Sequence, residues 1–151
     1  MGAGKTTLGR ALAQQLGWHF IDLDGEVEQH SKCTVSDMFA KFGEPSFRMV
    51  EQQVLHNVVL QFQNAASKIK NGIIACGGGA PCYNQNLTFM KATGFVIYLE
   101  VSPEILCQRL LTTPSPIRPL LPTNDPQQLL LYIRELLAQR TPYYEAAHWR
   151  C

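Results

Sequence analysis

Met1-Gly2-Ala3-Gly4-Lys5-Thr6-Thr7 opens the chain, and its spacing decides the fold. It matches the second half of the phosphate-loop pattern G-x-x-x-x-G-K-[ST]. Glycines let consecutive backbone N–H groups turn inward around a polyphosphate with no Cβ in the way. The helix beginning at Lys5 adds its positive dipole end. In such a loop the Lys5 ammonium reaches the β- and γ-phosphates, and the Thr6 hydroxyl is a ligand for Mg²⁺. The first glycine of the full pattern falls two residues before Met1. The expectation is therefore of a fragment or a misassigned start, with a loop-delivering strand encoded upstream.

Working outward, Leu8, Leu12 and Leu16 predict one apolar helix stripe that stops at Gly17. His19 to Asp24 reads as a strand, with Asp22 and Asp24 on one face at its carboxyl end. Ligands bind at that end of an open α/β sheet, although a capping or solvated pair reads the same way. Thr34 and Asp37 predict a capped helix through Val35, Met38, Phe39 and Phe42, closed by Gly43. A longer helix follows through Val54, Leu55, Val58 and Phe62. Arg48 and Glu51, three apart, brace one another or form a plain surface pair.

Gly72 to Ala75 reads as a short strand that runs into Cys76-Gly77-Gly78-Gly79-Ala80-Pro81. Three glycines at a strand end point to a backbone pressed against a ligand, or to a flexible turn. Gly94 to Val101 is apolar enough for a strand buried on both faces. Ser102-Pro103-Glu104 starts a helix through Leu106 and Leu110. Prolines 114, 116, 119 and 122 end it, and the stretch 112–123 holds one charge, Arg118. Lid and linker both fit. Asp125-Pro126 opens a last helix with a stripe of Leu129, Ile133, Leu136 and Leu137. Arg140 extends that stripe, so it faces an anion or bonds helix-end carbonyls.

The 151 residues suit one domain; 46% are hydrophobic and 17% charged, and the net charge is +1. Mean hydropathy is −0.08. No basic tract suggests nucleic acid, and no apolar run approaches a membrane span. The five scattered cysteines form no C-x-x-C pair, and the histidines lack metal-ligand spacing. Reduced thiols in the cytoplasm are expected.

The ordered set of Gly2 to Thr7, Asp22-Leu23-Asp24, Gly43 to Glu51, Gly77 to Gly79, Arg118 to Leu121 and Arg140 to Glu145 resembles the shikimate kinase family along nearly the whole chain. The resemblance implies a three-layer α/β/α phosphate-loop kinase fold with a parallel sheet in order 2-3-1-4-5. The family's first strand and its closing strand and helix are expected to be missing here, which leaves three strands. It also implies transfer of the ATP γ-phosphoryl group to the 3-hydroxyl of shikimate by a cytoplasmic monomer. Gly2, Ala3, Gly4, Lys5, Thr6, Thr7 and Arg118 would hold the nucleotide, and Thr6 and Asp22 the Mg²⁺. Asp24 would take the substrate hydroxyl, with Lys5 and Arg118 as the other catalytic groups. Arg48 and Arg140 would clamp the carboxylate, Gly78 and Gly79 would touch ring hydroxyls, and Phe39 and Phe47 would wall the pocket. The substrate-binding segment spans about 24–51 and the lid about 112–123. Leu111 stands where the family usually carries a second lid arginine, with Arg109 nearby. The alternatives are a kinase for another polyol acid or for a nucleoside monophosphate, and a kinase-derived domain without activity.

Overall fold

The computed structural model describes residues 2–64, 71–112 and 125–151, which fall into two compact units. One is Gly4–Ala80. The other takes the described residues of Pro81–Cys151 together with Gly2 and Ala3.

The first unit runs α1 (Lys5–Leu16), β1 (His19–Asp22), α2 (Leu23–Ser31), α3 (Val35–Gln63) and β2 (Gly72–Ala75). Strands β1 and β2 pair in parallel, from His19 beside Gly72 to Asp22 beside Ala75, so their carboxyl ends coincide. Helix α1 buries Gly9 and Ala13. Of the leucine stripe, Leu8 is 50% and Leu16 47% exposed, and Leu12 is half-buried. The cause is close packing. A Cβ on Gly9 would stand 2.7 Å from the Phe20 ring, so the helix approaches β1 through its small residues.

The strand expected to reach Asp24 ends at Asp22, and Asp24 lies in the first turn of α2. Leu23 and Val27, four apart and fully buried, are a helical pair that outweighs the alternation of Ile21 and Leu23. Asp24 and Glu26 suit the positive end of that helix. Thr34 caps α3, its hydroxyl accepting from the Asp37 amide at 3.1 Å. The helix is broken at Gly43, whose φ of 76° lies in the left-handed region. Pro45 sits in the first turn of the second segment, where a missing N–H costs little. That segment buries Phe47, Arg48, Glu51, Val54, Leu55, Val58 and Val59 on one face. Each apolar side chain so covered contributes about 1.5–3 kcal/mol.

The second unit holds α4 (Asn86–Thr93), β3 (Ile97–Tyr98), α5 (Pro103–Thr112), α6 (Pro126–Glu145) and β4 (Trp149–Arg150). Leu106, Cys107, Leu129 and Ile133 form its core, with Ala3, Val101, Leu110 and Leu137 packed around them. The Asp125 carboxylate caps α6 by accepting from the Gln128 amide at 2.8 Å. Two expectations are corrected here. The final residues supply a fourth strand, since β4 pairs in parallel with β3. The run 94–101 is also not buried on both faces, because Phe95 is 68% and Ile97 42% exposed.

Candidate active site

Gly2 and Gly4 both have positive φ, 69° and 89°, which turns the loop amides into the start of α1. The Arg109 guanidinium donates to the Gly2 carbonyl at 3.1 Å, so an arginine does reach this loop although position 111 is leucine. Thr7 follows in the first turn of α1, exposed. The Thr6 hydroxyl donates to the Asp22 carboxylate at 2.9 Å. The two expected metal ligands thus meet, an alcohol beside a carboxylate oxygen. Hard oxygen donors of this kind fit Mg²⁺.

Asp24 shares this neighbourhood. Burial among the surrounding protein raises its carboxyl above the usual range, Asp22 adds to the rise, and Lys5 and Arg48 oppose it. Its side chain is nonetheless open to water on one side. Lys5, Asp22, Asp24 and Arg48 are therefore electrostatic neighbours within one unit. A carboxylate with a raised pKa beside a lysine and an arginine is a group placed for proton transfer.

Arg48 is 4% exposed and Glu51 is fully buried, so their pair is not a surface one. The guanidinium donates to Glu51 Oε2 at 2.6 Å and, through Nε and a terminal nitrogen, to Glu44 Oε1 at 3.1 and 2.9 Å. It also lies over the Phe47 ring, 5.0 Å from the centroid. Phe47 in turn contacts Phe39, with centroids 4.7 Å apart. Burial raises the Glu51 carboxyl against the opposing pull of Arg48. Its Oε1 has no hydrogen-bond partner among the described residues.

The triglycine packs against these groups. A Cβ on Gly77 would stand 2.8 Å from Glu51 Oε1 and 3.3 Å from an Asp24 oxygen, and one on Gly79 would overlap the Arg48 guanidinium. The glycines are required by side chains of the protein itself. Gly78, between them, is half-buried. Burial, with Glu51 nearby, pushes the Cys76 thiol up to about 12, so it is not a thiolate.

Arg140 lies in the second unit, half-buried on α6, one helical turn before Tyr144. Arg118 and all but the first residue of the stretch 112–123 lie outside the described residues. Glu44 carries no role in the sequence analysis, although it sits four residues before Arg48 on a helix. That spacing was the available signal.

A family model described as shikimate kinase matches residues 1–151. The shikimate kinase of Bacteroides thetaiotaomicron is 39% identical over 149 residues, which are 99% of this chain and 80% of that protein. That of Parabacteroides distasonis is 41% identical over 147 residues, 97% of this chain and 80% of the other. The crystal structure of the B. thetaiotaomicron enzyme matches with a TM-score of 0.88 at 39% identity, covering 99% of this chain and 80% of that one. Shikimate kinase from Acinetobacter baumannii in complex with shikimate matches with a TM-score of 0.82 at 40% identity, covering 100% and 78%. With the glycine loop, the paired aspartates and the buried arginine in family order, the chain belongs to the shikimate kinase family.

Proposed function

We propose that this chain transfers the γ-phosphoryl group of ATP to the 3-hydroxyl of shikimate. The observation that carries the reading is the grouping of Lys5, Asp22, Asp24 and Arg48 where the phosphate loop and the carboxyl ends of β1 and β2 meet. Asp24 accepts a hydrogen bond from the reacting hydroxyl and takes its proton, a task suited to a carboxyl raised toward neutrality. Lys5 and the loop amides hold the phosphates. Thr6 and Asp22 would hold Mg²⁺, which would offset the negative charge of the phosphates.

Arg48 and Arg140 bind the carboxylate, which the planar guanidinium matches. Phe39 and Phe47 form an apolar wall, and Gly78 and Gly79 contact the ring hydroxyls through backbone. Arg118 stabilises charge on the group in flight. Because the transition state is loose, positioning and charge supply most of the acceleration. A near-neutral net charge supports a protein without nucleic-acid partners. No helix among the described residues is long and apolar enough to cross a membrane. A cytoplasmic monomer is the matching setting.

The test is ADP release from Mg·ATP with shikimate, with gluconate and with neither. Shikimate-dependent turnover giving one phosphate monoester is expected. Equal ATP consumption in all three arms would refute the proposal.

A further inference from the structure

The proposed reaction gives Glu44 no task, yet its carboxylate covers one edge of the Arg48 guanidinium. Nε and Nη2 both donate to Glu44 Oε1, at 3.1 and 2.9 Å. Those two nitrogens form the side edge of the fork, which a planar carboxylate can grip with one oxygen on each. Glu44 meets both with a single oxygen, a weaker hold than two parallel bonds would give.

The other neighbours of Arg48 are fixed in place. Glu51 accepts from Nη1 at 2.6 Å, is fully buried and has Gly77 packed against its Oε1. The Phe47 ring lies against the guanidinium, and the Gly79 backbone presses on it. Glu44 differs, because its side chain is 37% exposed. It also follows Gly43, whose φ of 76° interrupts α3, so it stands at the start of a helical segment. Rotation about its side-chain bonds would carry the carboxylate into water, which solvates it. Glu51 would have to move its charge through the core.

Charge balance decides which group gives way. Arg48 is one cation facing two carboxylates in a largely buried place. A substrate carboxylate brought to it would be a third anion, repelled by both. The exposed carboxylate is the one removed at least cost.

We propose that Glu44 is a displaceable counter-ion that competes with the substrate carboxylate: it holds the Nε–Nη2 edge of Arg48, and the substrate takes that edge as Glu44 turns to solvent. The competition selects for acids that grip the fork with two oxygens, since a neutral group gains too little to displace a carboxylate. This rests on the reading of Arg48 as a carboxylate-binding group.

The test compares the parent with Glu44→Gln and Arg48→Lys, using shikimate and methyl shikimate, in which the carboxylate is a neutral ester. The readouts are KM for each acceptor, KM for ATP, and the thermal midpoint with and without saturating shikimate. Glutamine keeps the length and an acceptor oxygen and removes the charge, and charge-assisted hydrogen bonds are roughly twice as strong as neutral ones. KM for shikimate is therefore expected to fall about three- to tenfold in Glu44→Gln. KM for methyl shikimate and for ATP should stay within about twofold. Without shikimate the variant should melt below the parent, because an ion pair is lost. At saturating shikimate the gap should close, because the parent has given up the same pair.

If Arg48→Lys leaves KM for shikimate unaltered, the reading of Arg48 fails and the inference with it. If Arg48→Lys raises KM for shikimate while Glu44→Gln raises it or leaves it unchanged, the site stands and the displacement is overturned. An equal fall in KM for shikimate and methyl shikimate also overturns it, since the effect then does not run through the carboxylate. So does a midpoint gap that persists at saturating shikimate, which marks a permanent structural pair.

Discussion

Gly79→Ala is the sharpest perturbation the structure offers. The new methyl would occupy the volume of the Arg48 guanidinium, which is 4% exposed and fixed between Glu44 and Glu51. Either the β2–loop backbone gives way or the guanidinium moves by about an ångström to restore ordinary contact. Overpacking of this kind costs about 1–3 kcal/mol. Stretching the 2.6 Å bond to Glu51 by that amount forfeits much of a charge-assisted hydrogen bond, worth about 1.5–3 kcal/mol. The two effects overlap, so a stability loss of about 2–4 kcal/mol is expected. On the proposed reading, a displaced Arg48 would also miss the substrate carboxylate. The rise in KM for shikimate should be roughly 10- to 100-fold at one decade per 1.36 kcal/mol. KM for ATP should hardly move, because the loop amides are untouched. Denaturant unfolding and a coupled ADP-release assay measure the two quantities. A variant within about 0.5 kcal/mol of the parent, with KM for shikimate within twofold, would show that the triglycine is not shaped by Arg48.

Gly25→Ala is the opposite case: no atom lies within 4 Å of the added methyl and the residue is helical, so a gain of about 0.5–1 kcal/mol is expected by denaturant unfolding. Asp24→Asn should lower kcat by about 10²–10⁴. Because folding raises this carboxyl, the folded state binds more protons than the unfolded one, and the penalty is full above the folded pKa and absent below the unfolded pKa. The same variant should therefore melt higher than the parent at pH 7 and show no such gain in acid, by thermal unfolding across pH. Thr34→Ala removes the α3 cap and should cost about 1 kcal/mol, again by denaturant unfolding. Alkylation at pH 8 followed by mass spectrometry should label the exposed Cys151 well before Cys76, whose thiol is pushed up to about 12; equal rates would contradict the burial of Cys76.

What was legible in the sequence was local. The glycines of the loop, the Thr34 cap, the break at Gly43 and the Asp125-Pro126 start each follow from backbone geometry within a few residues, and each is found. The errors arose where two periods competed or where distant packing decided. Ile21 and Leu23 alternate as in a strand, while Leu23 and Val27 recur as in a helix, and burial of the second pair settled it. The leucines of α1 look like a core stripe, yet the neighbouring Gly9 and Ala13 carry the contact because β1 comes so close. Trp149-Arg150 shows no strand pattern in two residues and becomes one only through pairing with β3. For the site, the chemistry-bearing residues were visible, and their mutual support was not. Nothing at positions 48 and 51 alone distinguishes a surface ion pair from a buried one. Their depth follows from the glycines at 77 and 79, some thirty residues later.

The charge balance of the first unit bears on how its site is loaded. Asp22, Asp24, Glu44 and Glu51 surround Lys5 and Arg48, so full ionisation puts four negative charges against two positive ones. Burial is the main reason the Asp24 and Glu51 carboxyls are raised, and the neighbouring acids add to it. An anionic substrate entering this neighbourhood meets a field already short of cations, so Arg48 cannot supply the whole attraction while Glu44 and Glu51 offset it. On the proposed reading, Arg48, offset by two carboxylates, fixes the geometry of the bound carboxylate, and Arg140 contributes net charge. Replacing each in turn should separate the two roles in the salt dependence of shikimate binding. Arg140→Ala should flatten it, and Arg48→Ala should weaken binding at all ionic strengths alike.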